Sequence, residues 1–287
     1  MPPFAERFIT LARKRSPLCI GIDPSAELLG HWDLPDNPEG VRRFCGTVLD
    51  AAADLVPMMK PQMAFFERHG SAGFAEASAA IAQIRAQGAL SLVDAKRGDI
   101  ASTMEGYAAA IFEPAGELQA DAVTLSPYLG FETLEPVICR AQATGGGVFV
   151  VIRSSNQGGR PIQTARIPDG RTVADALADD ITAHNISTGG SVGPVGAVIG
   201  TTLSEQDAII LDRLPHALIL APGLGAQGTE MSDVARKFNA ARGRTIPTIS
   251  RSILRHGPRR DCLRDAIERY RDAAWSLWDD GQTGASG

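Results

Sequence analysis

Long apolar runs, clustered cysteines and blocks of one charge sign are all missing from this 287-residue chain. A membrane-spanning helix needs roughly 20 consecutive apolar residues, and no segment approaches that. The start, Met1-Pro2-Pro3-Phe4-Ala5-Glu6-Arg7, carries no apolar signal core, so the sequence reads as a cytoplasmic protein without a membrane partner. Cys19, Cys45, Cys139 and Cys262 lie far apart with no Cys-x-x-Cys pair, which argues against a disulfide framework and a zinc site. His31, His69, His184, His216 and His256 show no metal-ligand spacing either, so no metal is expected. Lys and Arg number 28 against 33 Asp and Glu, a formal charge of −5 with the signs interspersed. Nucleic-acid binding needs clustered positive charge, and there is none. An anionic small ligand needs only a local cationic pocket and stays open.

Hydrophobic residues make up 44% of the chain, enough for a large core. They fall into eight short, near-continuous runs: Leu18–Asp23, Val56–Lys60, Leu90–Lys96, Ala122–Leu125, Val148–Ile152, Val195–Gly200, Ala217–Ala221 and Thr245–Ser250. Runs of this kind suit parallel strands buried on both faces. Amphipathic segments separate them: Val41–Asp54, Gly73–Gln87, Thr133–Thr144, Val173–Thr188, Glu205–Arg213 and Met231–Ala241, with a final helix over Arg260–Trp278. Phe4–Arg15 adds a helix ahead of the first strand. Eight strand–helix units predict a single (β/α)8 TIM barrel with an extra N-terminal helix. A doubly wound open sheet is the competitor, because sequence does not show closure. No linker divides the chain, so residues 1–278 are expected to form one domain, with 279–287 as a tail. The longest connection, Arg153 to Arg171, is polar and rich in Gly, Pro, Ser and Asn, a composition and length typical of functional or disordered loops.

The third run ends in Asp94-Ala95-Lys96-Arg97-Gly98-Asp99-Ile100. Side chains alternate along a strand, so Asp94 and Lys96 should share a face, with Asp99 just beyond in a loop. A lysine between two carboxylates is costly to desolvate unless the charges compensate one another, and such sites are usually kept for chemistry. A surface ion pair at a strand end is the bland alternative. The barrel provides a check, because active residues sit at the C-terminal ends of its strands. Asp23 ends the first run, Lys60 the second, Asp94 and Lys96 the third, and Arg251 follows the eighth.

The ordered pattern resembles the orotidine 5'-phosphate decarboxylase family, in its longer bacterial, mycobacterial-like branch. Asp94-x-Lys96-x-x-Asp99-Ile100 is the family signature. Gly21-Ile22-Asp23, Lys60-Pro61-Gln62, Ser155-Asn156-Gln157-Gly158, Pro222-Gly223-Leu224-Gly225-Ala226-Gln227-Gly228 and Ser250-Arg251-Ser252-Ile253 accompany it, from roughly residue 18 to 255. The resemblance implies decarboxylation of orotidine 5'-phosphate to UMP, without a cofactor, in a homodimer with shared active sites. It assigns catalysis to Lys60, Asp94, Lys96 and Asp99, with Asp99 entering from the partner subunit. It assigns substrate binding to Asp23, Thr103, Ser155, Gln227, Gly228 and Arg251, with Asp23 and Lys60 on the ribose hydroxyls and Ser155 on the pyrimidine. Ser154 competes with Ser155, and Thr103 reads almost as well as an ordinary first-turn helix residue.

Gly223-x-Gly225-x-x-Gly228 also matches a dinucleotide fingerprint, but it follows the seventh strand and no acidic residue lies between Asp233 and Asp261. A phosphate loop fits better, since loops after barrel strands seven and eight commonly bind phosphate through backbone N–H groups. Arg251 can add a charge-assisted contact. Two departures from the family pattern stand out: Arg153 replaces the usual acidic or amide neighbour of the pyrimidine serine, and the long loop carries Arg160, Arg166 and Arg171, any of which is a candidate for gripping phosphate. Two other readings compete. One is a metal-dependent 3-keto-L-gulonate 6-phosphate decarboxylase, which shares the Asp-x-Lys-x-x-Asp barrel; the other is a phosphate-binding regulator on a decayed barrel.

Overall fold

The structure, a computed structural model, describes residues 1–52, 54–225 and 228–278. Eight parallel strands close into a barrel in sequence order: β1 (Cys19–Ile22), β2 (Met58–Pro61), β3 (Leu90–Arg97), β4 (Ala122–Leu125), β5 (Gly147–Arg153), β6 (Val195–Ile199), β7 (Ile219–Pro222) and β8 (Thr245–Ile249). Closure is made by β1 pairing with β8, Cys19 opposite Thr248. The open sheet is thereby excluded. Every residue of β1, β2, β4, β6 and β8 is buried, which is why these runs read as continuously apolar rather than alternating.

The helices are α1 (Phe4–Arg15), α2 (Ala26–His31), α3 (Pro38–Ala52), α4 (Ala64–Glu67), α5 (Gly70–Ala86), α6 (Ala101–Phe112), α7 (Glu135–Thr144), α8 (Arg160–Gln163), α9 (Val173–Ser187), α10 (Met231–Lys237), α11 (Arg251–Leu254) and α12 (Arg260–Ala274). The segment expected as a helix over Glu205–Arg213 is instead a 3-10 helix over Asp207–Arg213. The long connection after β5 is not structureless. It contains a 3-10 turn over Gln157–Gly159, then α8, then a turn closed by Ile167 N–H donating to Arg171 O at 2.9 Å.

Two apolar cores follow from the closure. One lies between the strands and the surrounding helices. The other fills the barrel, where Met58, Leu92, Phe149, Leu220 and Ile246 pack with Phe4 and Phe8 of α1. Helix α1 therefore plugs the N-terminal end: the Phe4 and Phe149 rings meet edge-on at 5.8 Å, and a Cβ on Gly147 would come within 2.5 Å of Phe4. With that end stoppered, the open mouth is the one formed by the C-terminal strand ends.

Candidate active site

At that mouth lies a cavity of about 280 Å³. Six residues singled out from sequence line it: Asp23, Lys60, Asp94, Lys96, Ser155 and Arg251, and Ser154 lines it too. Three do not: Asp99, Thr103 and Gly228 are absent from its wall. Gln227 lies outside the described residues, as does the segment 279–287 expected as a tail.

Asp94 is the hub. It is 6% exposed and its two oxygens accept four hydrogen bonds. Oδ2 takes Lys60 Nζ at 2.7 Å and Gln62 Nε2 at 3.2 Å; Oδ1 takes Lys96 Nζ at 2.5 Å and the Thr124 hydroxyl at 2.9 Å. Strand geometry explains the first pair, because β2 and β3 run in register from Met58 opposite Leu90 to the Gln62–Asp94 bridge, which sets Lys60 near the end of β2 close to Asp94. Burial opposes the charge on Asp94, but Lys60 and Lys96 outweigh it and hold the carboxyl well below the usual carboxylate range. Burial likewise opposes the charge on Lys60, and the Asp94 and Asp23 carboxylates outweigh it, so the ammonium is held above the ordinary lysine value.

Lys96 is reached through an irregular strand end. Its φ is +47°, in the left-handed region that L residues seldom adopt. The side chain is still half exposed at 48%, in contrast with 7% for Lys60. One ammonium is thus locked in protein, and the other opens toward the cavity.

Across the mouth, Ser250 donates to Asp23 Oδ2, while Asp23 Oδ1 is buried without a hydrogen-bond partner among the described residues. Gly223, Gly225 and Gly228 all have positive φ (111°, 71° and 79°), a conformation glycine adopts without penalty. Gly225 is also close-packed, since a Cβ there would come within 2.3 Å of the Ser252 hydroxyl. Arg251 opens α11 beside this loop.

The serine segment is anchored from behind. Gln163 of α8 binds Ser154 twice, accepting from its N–H at 3.1 Å and donating to its hydroxyl at 2.8 Å. Thr202 donates to Ser155 O at 2.9 Å. Buried Arg153 pairs with Asp207 at 3.2 Å, and Arg160 with the same oxygen at 3.3 Å. Arg171 pairs with Asp169 and Asp179, and Arg166 donates to Gly170 O. All three loop arginines are turned to neighbours outside the cavity wall.

Gln62 and Ser250 stood in the quoted motifs without an assigned role, and Thr124 was not singled out from sequence. Gln62 stands two residues past Lys60, and Thr124 is the one hydroxyl in an otherwise apolar strand, so both left a trace. Ser250 had only its place beside Arg251. Among the described residues, no three His, Cys, Asp or Glu side chains form a metal-ligand cluster, and no helix is long and apolar enough to cross a membrane.

A (β/α)8 barrel with a buried carboxylate between two lysines at its mouth, and a glycine loop plus arginine after strands seven and eight, defines a class of barrel enzymes acting on phosphorylated ligands. Comparison with known proteins makes the assignment specific. The profile of the orotidine 5'-phosphate decarboxylase / HUMPS family matches residues 16–266, and the chain belongs to that family. It is 48% identical to orotidine 5'-phosphate decarboxylase of Myxococcus xanthus over 269 residues, 93% of each chain. Identity to the Streptomyces coelicolor enzyme of that name is 43% over 270 residues, 94% of this chain and 96% of the other. A crystal structure provisionally named as this decarboxylase, from Streptomyces avermitilis, has a TM-score of 0.92 at 42% identity and covers 96% of each chain. These relatives place the chain among the decarboxylases of the family, as carboxy-lyases.

Proposed function

We propose that the chain converts orotidine 5'-phosphate to UMP without metal or organic cofactor, as one domain over residues 1–278. The observation that carries this reading is the Lys60–Asp94–Lys96 row at the cavity floor. Loss of CO₂ from C6 leaves an sp² carbanion with no adjacent carbonyl to delocalise it. A fixed ammonium beside that carbon stabilises the developing charge and then supplies the proton. Lys96 is the half-exposed ammonium of the row and takes that role. Asp94, held ionised, lies against the substrate carboxylate and fixes Lys96. Asp23 Oδ1 accepts a ribose hydroxyl with Lys60 alongside. Arg251 and the Gly223–Gly228 loop hold the phosphate. Ser155 binds the pyrimidine edge, with its neighbour Ser154 held from behind by Gln163.

The active unit in this reading is a homodimer. Asp99 stands outside its own cavity, and Ile100, Tyr128 and Leu129 nearby are 56%, 78% and 51% exposed. The loops carrying them adjoin, because Ser126 N–H donates to Arg97 O at 2.8 Å. An apolar patch beside an unused carboxylate suits a second copy that accepts Asp99 into its mouth. Thr103, exposed on the first turn of α6, follows Asp99 by four residues.

The assay is ultraviolet monitoring of orotidine 5'-phosphate consumption by purified protein in EDTA. Full turnover in chelator is expected. Turnover that appears only after a divalent cation is restored would instead support the metal-dependent relative.

A further inference from the structure

The pairing of β3 with β4 is regular at Leu92 opposite Ala122 and Val93 opposite Val123, and resumes at Arg97 opposite Leu125. Between these points Asp94, Ala95 and Lys96 face a single residue, Thr124. The ladder therefore bulges where the chemistry sits. The backbone N–H of Lys96 is bound instead by the Thr124 hydroxyl oxygen at 3.0 Å. The single proton of that hydroxyl goes to Asp94 Oδ1 at 2.9 Å, the oxygen that also takes Lys96 Nζ at 2.5 Å. One side chain thus joins the main chain of Lys96 to the carboxylate that holds its ammonium, closing a ring through both ends of the lysine.

Thr124 is 1% exposed in the strand Ala122–Leu125 and lines the cavity. A hydroxyl buried in such a strand is unfavourable unless bonded, and here both donor and acceptor capacities are used. The left-handed backbone at Lys96 is unfavourable for a residue that carries a Cβ, and it persists only where surrounding contacts hold it. We propose that Thr124 is a positioning residue for the decarboxylation, fixing Lys96 relative to Asp94 across the bulged end of β3; the inference rests on the function proposed above.

Thr124→Val keeps the branched shape and removes the hydroxyl. Misplacement by about 1 Å can cost a hundredfold in rate, so kcat should fall roughly ten- to a hundredfold. KM for orotidine 5'-phosphate and Kd for UMP should stay within about threefold, because ground-state contacts are unchanged. Thr124→Ser should recover kcat to within about threefold of wild type, since it restores both hydrogen bonds. If Thr124→Val does not fold, Thr124→Ala serves as the hydroxyl-free variant. The inference is overturned by an undiminished kcat in the hydroxyl-free variant, by UMP affinity falling in step with kcat, or by Thr124→Ser being as slow as Thr124→Val. Wild-type protein in the same assay separates the two claims. Its inactivity would overturn the functional reading and this inference together; its activity beside an equally active Thr124→Val would overturn the inference alone.

Discussion

The two sides of the barrel mouth are built differently. On the β2–β3–β4 side, the charged and polar groups are mutually satisfied around a buried centre: Asp94 accepts four hydrogen bonds, and the Lys60–Asp94 pair is less than a tenth exposed. On the β5–β7–β8 side, the wall is made of loops, with glycines at positive φ, an exposed Arg251 and a serine segment held by a short helix. Preorganised charge stabilises a transition state because it need not rearrange. A loop wall can adjust to a bulky phosphorylated ligand and enclose it. In the proposed function, chemistry falls to the rigid side and grip to the adaptable one.

The sharpest way to break that division is Lys96→Ala. It removes the ammonium expected to act on charge present only in the transition state, so turnover should fall by about a thousandfold or more, ~4 kcal/mol in barrier. UMP binding should be largely kept. A turnover loss of less than about tenfold, ~1.4 kcal/mol, would place the chemistry elsewhere.

Asp94→Asn tests the rigid side for stability. Breaking a buried pair typically costs about 3–5 kcal/mol, because an uncompensated charge is left behind. The sign of its pH dependence follows from the shifts. Asp94 is held below the usual carboxylate value, so its contribution is present above about pH 4 and lost as pH falls through the folded-state value. Lys60 is held above the usual lysine value, so its contribution is full below about pH 10 and lost as pH rises through the folded-state value. The Tm gap between wild type and Asp94→Asn should therefore be constant from pH 5 to pH 9, about the middle of that window. A gap that closes within it would show that the pair is not ionised as described.

Arg251→Ala probes the adaptable side. The phosphate is remote from the breaking bond, yet remote binding energy can serve positioning, so kcat/KM should fall by about a hundredfold, ~2.7 kcal/mol. Free phosphite dianion should activate wild-type turnover of the phosphate-lacking nucleoside orotidine. No activation would mean that phosphate grip and chemistry are uncoupled.

The same contrast explains what could be read in the sequence. Strands buried on both faces announce themselves, and β4 and α1 have the bounds expected from pattern alone. Helices α2, α4 and α11 are four to six residues long, too short for a periodic signal. Helix α6 was legible only at its start, where Thr103 reads as a first-turn residue, because its sequence, Ala-Ser-Thr-Met-Glu-Gly-Tyr-Ala-Ala-Ala-Ile-Phe, has a weak polar face. Asp94 and Lys96 were legible because both lie in one signature. Thr124 and Ser250 draw their roles from partners 28 to 227 positions away, which no local pattern carries. Alternation along β3 predicted the shared face of Asp94 and Lys96, although the strand bulges there and side-chain contacts complete the arrangement.

The proposed shared site turns on Asp99, which the chain leaves outside its own cavity. Lys96→Ala and Asp99→Ala proteins should each be inactive alone. In a mixed dimer, one site takes both lesions and the other takes neither, so after complete exchange of equal amounts about one site in four should be intact. Recovery of roughly a quarter of wild-type activity is the predicted result; a mixture that stays inactive despite demonstrated subunit exchange would contradict a charge row shared between subunits.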